Sequence, residues 1–309
     1  MKSSVKKAVH TGQQPIRVLK HNLTHRLIER NEYLIKKLQS ENKLNNLIQY
    51  HVAELPLIER QTPRIDDKGT IILHETYLSY IWTISYSMFV MYEEGIAIPD
   101  LIRRGIPTHK AQNKVLVEKA EELFAYSKSL IRVYSEWDKE NFPNPEYFDE
   151  ETEEGWYILR TNDLFVEVMN FIMYHEIAHA ELQHINMIKT NKLTNEQIKA
   201  LELDADSKAV NLILENYRNI NVTRLAIVIG LASMLFFNNS VDGGRKHPSV
   251  DMRLQNALGI IKPEYDSPVW ALLVLFLKQW DTQFSLSIPH KTSYDTYEDM
   301  YYELIGQVK

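Results

Sequence analysis

Residues 164–184 read LFVEVMNFIMYHEIAHAELQH. An apolar run leads into an H-E-x-x-H segment made by His175, Glu176 and His179. On a helix, residues four apart share a face, so both imidazoles can turn toward one metal ion. Phe165, Val168 and Ile172 fall on the same stripe as the two histidines. Polar groups on an apolar stripe need partners, because an unsatisfied buried polar group is costly. Glu176 stands beside the pair, placed to take a proton from a metal-bound water. The plain alternative is a surface helix with two solvated histidines, and the apolar lead-in argues against it.

Zinc needs a third protein ligand and leaves a fourth position for water. The chain has no cysteine, so that ligand is His, Asp or Glu. His184 lies nine residues after His175, on the far side of a continuing helix. A third histidine returning on the next turn needs Gly at 182 and His at 185, where this chain has Leu182 and Ile185. His184 is therefore read as a helix-end residue. Glu202, in LELDADSKAV (201–210), is the better candidate, since 23 residues after His179 allow a loop and a return. Asp206 is one turn later on the same face, where a carboxylate can orient a liganding histidine through its other ring nitrogen. Ala205 and Ala209 are small enough for two helices to close together. Asp204 sits about 200° around the helix from Glu202 and is read as exposed. The segment HPSVDMR (247–253) follows a Gly243–Gly244 turn. Its His247 can donate to an oxyanion at the mouth of a zinc site, and Arg253 joins Asp206 as a supporting residue. Taken alone, that segment reads more readily as a loop histidine and a helix-surface arginine.

Composition limits the remaining choices. The 309 residues are 44% hydrophobic and 25% charged, as in an ordinary globular chain. Only 10 Gly and 11 Pro favour long helices over repeats or low-complexity structure. Without cysteine there is no disulfide framework. The net charge of −6 divides into +6 over residues 1–60 and −12 over the rest, which does not suit nucleic-acid binding. The basic first segment is read as a solvated helix face. No apolar h-region marks a signal peptide. The longest apolar run, Leu225–Phe237, has 13 residues against the ~20 a membrane span needs, so it reads as a buried helix in a cytoplasmic protein.

Along the chain, residues 1–15 read as disordered. Residues 16–52 read as a polar helix with a stripe of Leu19, Leu23, Leu27, Leu34, Leu38 and Ile48. Gly69–Leu73 and Trp156–Arg160 are strand candidates. Helices are expected over 75–94, over 107–134 with a cap near Thr108, and from a cap at Asn162 or Asp163 to His184. Further helices are expected from a Thr194–Gln197 capping box to Tyr217, and over 222–238 and 267–280. Residues 136–154, with nine acids and one lysine, read as a solvated connector. The fold class is mainly α with a minor small β-sheet, the His-bearing helix packed against a second ligand-bearing helix. Two regions are expected: a polar helical extension (1–54) that can bind a partner, and a domain (55–309) that carries the H-E-x-x-H helix and the acidic connector.

With these elements in order, the chain resembles the gluzincin peptidases. ELDAD and HPSVDMR are similar to segments of HtpX-type membrane peptidases, without their spans. A closer resemblance is to the Lit family, the prophage-encoded phage-exclusion peptidases. It is carried by YLSYIW (77–82), NPEYF (144–148), YHEIAHAELQH (174–184), ELDADSKAVNLIL (202–214) and KHPSVDMRLQNAL (246–258), and covers residues 55–309. It implies a zinc endopeptidase that cleaves host elongation factor Tu on infection, with a phage-derived activating peptide as a partner and neither nucleic acid nor membrane involved. It also implies His175 and His179 as metal ligands and Glu176 as catalytic base. Two other readings stand beside it. One is an ImmA/IrrE-like metallopeptidase cleaving a repressor, which Asp206 argues against. The other is a non-catalytic, zinc-stabilised helical interaction protein, although structural zinc normally takes four protein ligands and three are visible.

Overall fold

Thr152, rather than Asn162 or Asp163, starts the histidine-bearing helix. Its hydroxyl accepts the Gly155 N–H at 3.0 Å, and Glu153 and Glu154 complement the helix dipole in the first turn. The helix then runs unbroken from Glu153 to Glu181. Trp156–Arg160, expected as a strand, therefore forms its early turns. The aromatic and branched residues of that stretch serve helix packing: Tyr157 and Ile158 are buried, and Tyr157 meets Phe89 edge-on. Gly155 is needed here, because a Cβ would meet the Asp149 carbonyl oxygen at 1.8 Å.

The computed structural model describes residues 12–45, 48–108 and 110–308. A 3₁₀ turn at Pro15–Leu19 leads into α1 (Lys20–Arg30) and α2 (Glu32–Ser40). Strands β1 (Ile48–His51), β2 (Arg64–Ile65) and β3 (Ile71–His74) follow. Next come α3 (Glu75–Tyr92), a π-turn at Glu93–Ala97, α4 (Ile98–Arg103), α5 (Lys114–Ser129) and α6 (Glu153–Glu181). The chain continues through α7 (His184–Thr190), α8 (Asn195–Glu215), α9 (Ile220–Ala232) with a 3₁₀ turn at Ser233–Phe237, α10 (Val250–Ile261), α11 (Pro268–Phe284) and α12 (Tyr297–Gly306). The fold is mainly α with one three-stranded sheet, as expected.

In the sheet, β3 lies between β1, which pairs parallel (Ile48 with Ile71), and β2, which pairs antiparallel (Ile65 with Ile71). The strand expected at Gly69–Leu73 is thus the central one. The single helix expected over 16–52 is not formed. Asn31 leaves helical geometry between α1 and α2. That break resets the phase, so Ile35 rather than Leu34 enters the core. Ile48 goes to the sheet, where β3 offers it a parallel edge. The helix expected from Thr108 starts at Lys114, capped by Asn113; the Asn113 N–H is also held by the Glu94 carboxylate at 2.7 Å.

The expected disorder of residues 1–15 lies, for residues 1–11, outside the described residues. Gln14 is buried and donates to the Tyr134 hydroxyl at 2.8 Å. The basic segment is likewise not a purely solvated face. Lys20 is buried against Glu75 at 3.2 Å, and Arg26 and Arg30 flank Glu167 of α6 at 3.1 and 2.8 Å. The acidic connector is anchored too: Trp137 is buried against Trp82, and Glu146 pairs with Arg17.

α6 packs on α3, α8, α9 and α1, which is why its apolar lead-in is buried nearly all round. Residues Ile220–Phe237 are apolar enough for a membrane span by length and composition, yet 61% buried inside the protein.

Glu167 is the joint between α1 and α6. Glu167→Ala would leave the buried Arg30 guanidinium without its carboxylate and Arg26 with Glu29 alone. Breaking such a pair from one side costs about 3–5 kcal/mol, so the urea-unfolding midpoint should fall by that equivalent. An unchanged midpoint would show that the two arginines re-pair or re-solvate.

Candidate active site

His175 and His179 are one turn apart on α6, and their Nε2 atoms approach to 3.0 Å. α8 returns beside α6, started by the Thr194–Gln197 capping box. Ala205 and Ala209 are fully buried at that contact. The close approach brings Glu202 to the two rings, with Oε2 3.5 Å from His175 Nε2 and Oε1 3.6 Å from His179 Nε2. One ligand atom from each of the three lies within 4.8 Å of the others. Tetrahedral bonds of about 2.0–2.1 Å require ligand–ligand edges of about 3.3 Å. The observed separations bracket that value, so the trio fits a small divalent cation with one corner left open.

Each of the two rings is braced from behind. His175 Nδ1 lies 2.9 Å from Asp206 Oδ1. Asp206 is fully buried and accepts two parallel bonds from Arg253, Nε and Nη2, both at 2.6 Å. Arg253 Nη1 reaches the Met234 sulfur at 3.2 Å. His179 Nδ1 lies 3.0 Å from His184 Nδ1, and His184 Nε2 lies 3.5 Å from Asp204. His184 is thus a buried support for His179, more than the helix-end residue expected. Gln183 has a left-handed φ of 58°, which ends α6 and swings His184 back. Helix phase does not carry past that residue. Asp204 is exposed, as expected, and still backs His184.

The charges are mutually fixed. Burial alone would raise the Asp206 carboxyl, but Arg253 and His175 outweigh it and hold it at about 2. Burial opposes charge on His175, but the Asp206 and Glu202 carboxylates outweigh it and lift the ring to about 9. Burial and the neighbouring His175 depress His179 to about 3. Burial, followed by the nearby Glu202 charge, pushes Glu176 upward. The Glu176 carboxylate accepts the Ile65 N–H of β2 at 2.8 Å.

These groups open onto one cavity of about 410 Å³. His175, Glu176, His179 and Glu202 form its polar floor. Phe171, Ile172, Leu231, Met234 and Phe237 form an apolar wall, and Thr62–Arg64 line the approach from β2. His247 stands at the rim, largely exposed, with Nδ1 3.5 Å from Glu202. Its turn closes tightly, since a Cβ on Gly243 would meet the Pro248 carbonyl oxygen at 2.0 Å. Sequence reasoning missed Ile65, Tyr77 and the supporting role of His184. For His184 a signal existed, five residues beyond His179; Ile65 and Tyr77 enter only through tertiary packing.

Without metal, His175 carries a proton at neutral pH, and a bound cation must displace it. Metal affinity should therefore rise with pH up to about 9, with one proton released per ion at pH ~7. Titration calorimetry in buffers of different ionisation heat counts that proton, and none released would contradict the charged ring. Asp206→Asn should weaken metal binding about 10–100-fold and lower thermal stability by disturbing Arg253. Metal affinity equal to wild type would remove Asp206 from its bracing role.

The sequence model of the peptidase U49 family matches residues 71–273, from the start of β3 into α11. That span is well over half of the chain and contains His175, Glu176, His179, Glu202, Asp206, His247 and Arg253. No curated protein and no solved structure matches the chain. The matched span includes the whole metal-competent trio and its braces, and the chain belongs to the peptidase U49 family.

Proposed function

We propose that this chain is a zinc-dependent endopeptidase of a prophage-type exclusion system. It hydrolyses a peptide bond of host elongation factor Tu in the cytoplasm on phage infection, with a phage-derived peptide as its trigger. The observation that carries the peptidase chemistry is the open three-ligand set of His175, His179 and Glu202 with Glu176 beside it in one cavity. The substrate and the biological setting rest on the resemblance of the five segments to the Lit family.

Two imidazoles and a carboxylate are a donor set that hydrolytic zinc sites use, with the fourth corner left for water. Bound there, zinc supplies Lewis-acid polarisation of the peptide carbonyl and acidifies a water to a pKa of about 7. The remaining work belongs to side chains. Glu176 accepts the proton of the attacking water and passes it to the leaving amine. Burial raises its carboxyl, which suits a group that must both take and release a proton. Asp206, clamped by Arg253, accepts the His175 Nδ1–H and so keeps Nε2 free to ligate. His184 does the equivalent for His179. His247, at the rim, donates to the carbonyl oxygen as charge develops there. β2, whose Arg64 lines the cavity beside Thr62 and Pro63, offers an edge on which an extended substrate can pair as a strand.

Wild type and Glu176→Gln should each bind about one zinc per chain. Intact-mass analysis of elongation factor Tu, incubated with phage lysate, should show two fragments with wild type and none with the variant. Chelation should abolish the cut and added zinc restore it. Equal cutting by both proteins would remove Glu176 as the base. Intact elongation factor Tu beside another cleaved host protein would replace the substrate.

A further inference from the structure

The segment YLSYIW opens α3 and carries part of the family resemblance, yet it supplies no metal ligand. We propose that its first residue, Tyr77, is a substrate-binding residue of the peptidase site: its hydroxyl donates a hydrogen bond to the carbonyl oxygen of the bound peptide. This inference rests on the peptidase reading.

Tyr77 sits in the first turn of α3, directly after β3, and its ring is buried. It lines the same cavity as His175, Glu176 and Arg253. No hydrogen bond among the described residues engages its hydroxyl. Nor is that hydroxyl among the sealed, orphaned polar atoms of the core, and the residue lines the cavity. Tyr80, less than one turn along the same helix, has the opposite fate. It is fully buried, and its hydroxyl donates to the Ser233 carbonyl oxygen at 2.6 Å.

Several of the neighbouring donors are already engaged within the protein. Arg253 faces Asp206 with two nitrogens and the Met234 sulfur with the third. The Ser233 hydroxyl donates to the Gly230 carbonyl oxygen at 2.9 Å. Arg64 Nη1 donates to the Arg60 carbonyl oxygen at 3.0 Å. Tyr77 therefore brings an uncommitted neutral donor to a buried wall beside the base. The opposed charges of Arg253 and Glu176 both reach it, and burial keeps it a phenol. No proton leaves it during the reaction. Its contribution grows as negative charge builds on the carbonyl oxygen, because a fixed donor in a poorly solvated site responds to that charge without reorganisation.

The test compares wild type, Tyr77→Phe and Tyr80→Phe in the full chain loaded with zinc. Three readouts are taken: melting temperature, steady-state kcat and KM on elongation factor Tu and on a fluorogenic peptide mixture, and calorimetric binding of a phosphinic peptide that mimics the tetrahedral state. Tyr77→Phe should keep its zinc and melt no lower than wild type. Its kcat should fall about 10²-fold with KM little changed, and it should bind the phosphinic peptide more weakly. Tyr80→Phe should lower the melting temperature and keep kcat near wild type. Wild-type kcat and phosphinic-peptide affinity in Tyr77→Phe would overturn the assignment, as would a loss of kcat matched by a loss of melting temperature. A wild type that neither cuts nor binds these probes would overturn the peptidase reading itself, and this inference with it.

Discussion

The Asp206 carboxylate, buried between Arg253 and His175, is the contact on which the rest depends. It joins α8, α10 and α6 at one point. Removing a carboxylate and a guanidinium from water carries a penalty of several kcal/mol per ion, and only close, well-aligned partners offset it. Arg253 provides that alignment through two parallel bonds, a geometry that a lysine could not supply. The same carboxylate fixes which nitrogen of His175 faces the cavity. Fold and chemistry therefore share atoms, and segments 47 residues apart in sequence are bound to one requirement.

Much of the trio is legible in the sequence because it obeys helical spacing. His175 and His179, and then Glu202 and Asp206, are each four apart on helices whose apolar faces are plain. The Thr194–Gln197 box marks the second helix without ambiguity. Spacing fails where backbone phase is interrupted. His184 looks misdirected only if α6 continues through Gln183, which it does not. Asn31 does the same to the first helices, exchanging Leu34 for Ile35. Trp156–Arg160 misleads for another reason: aromatic and branched residues suit a strand, yet Thr152 and two acids commit the chain to a helix before the stretch begins. Tyr77 could not be singled out at all, because its position depends on how α3 lies against α6.

The matched family span starts at residue 71, but several contacts that shape the site originate before it. Ile65 holds Glu176. Arg26 and Arg30 flank Glu167 on the helix that carries both histidines, and Asn31 donates to the Tyr174 hydroxyl, one residue before His175, at 2.9 Å. Among the described residues of the opening segment, Lys20, Arg26 and Arg30 turn their charge inward onto Glu75 and Glu167, while Lys36, Lys37 and Arg60 stay exposed.

That arrangement bears on how the protein can be handled. A fragment trimmed to the matched boundaries would strip β1 and β2 from β3, leaving a short apolar strand with both edges bare, the sort of surface on which chains stick to one another. Glu167 and Tyr174 would lose their covering helices in the same cut. Expression trials should therefore retain the opening residues, since poor solubility of a trimmed form would report missing sheet neighbours rather than any defect in the catalytic centre.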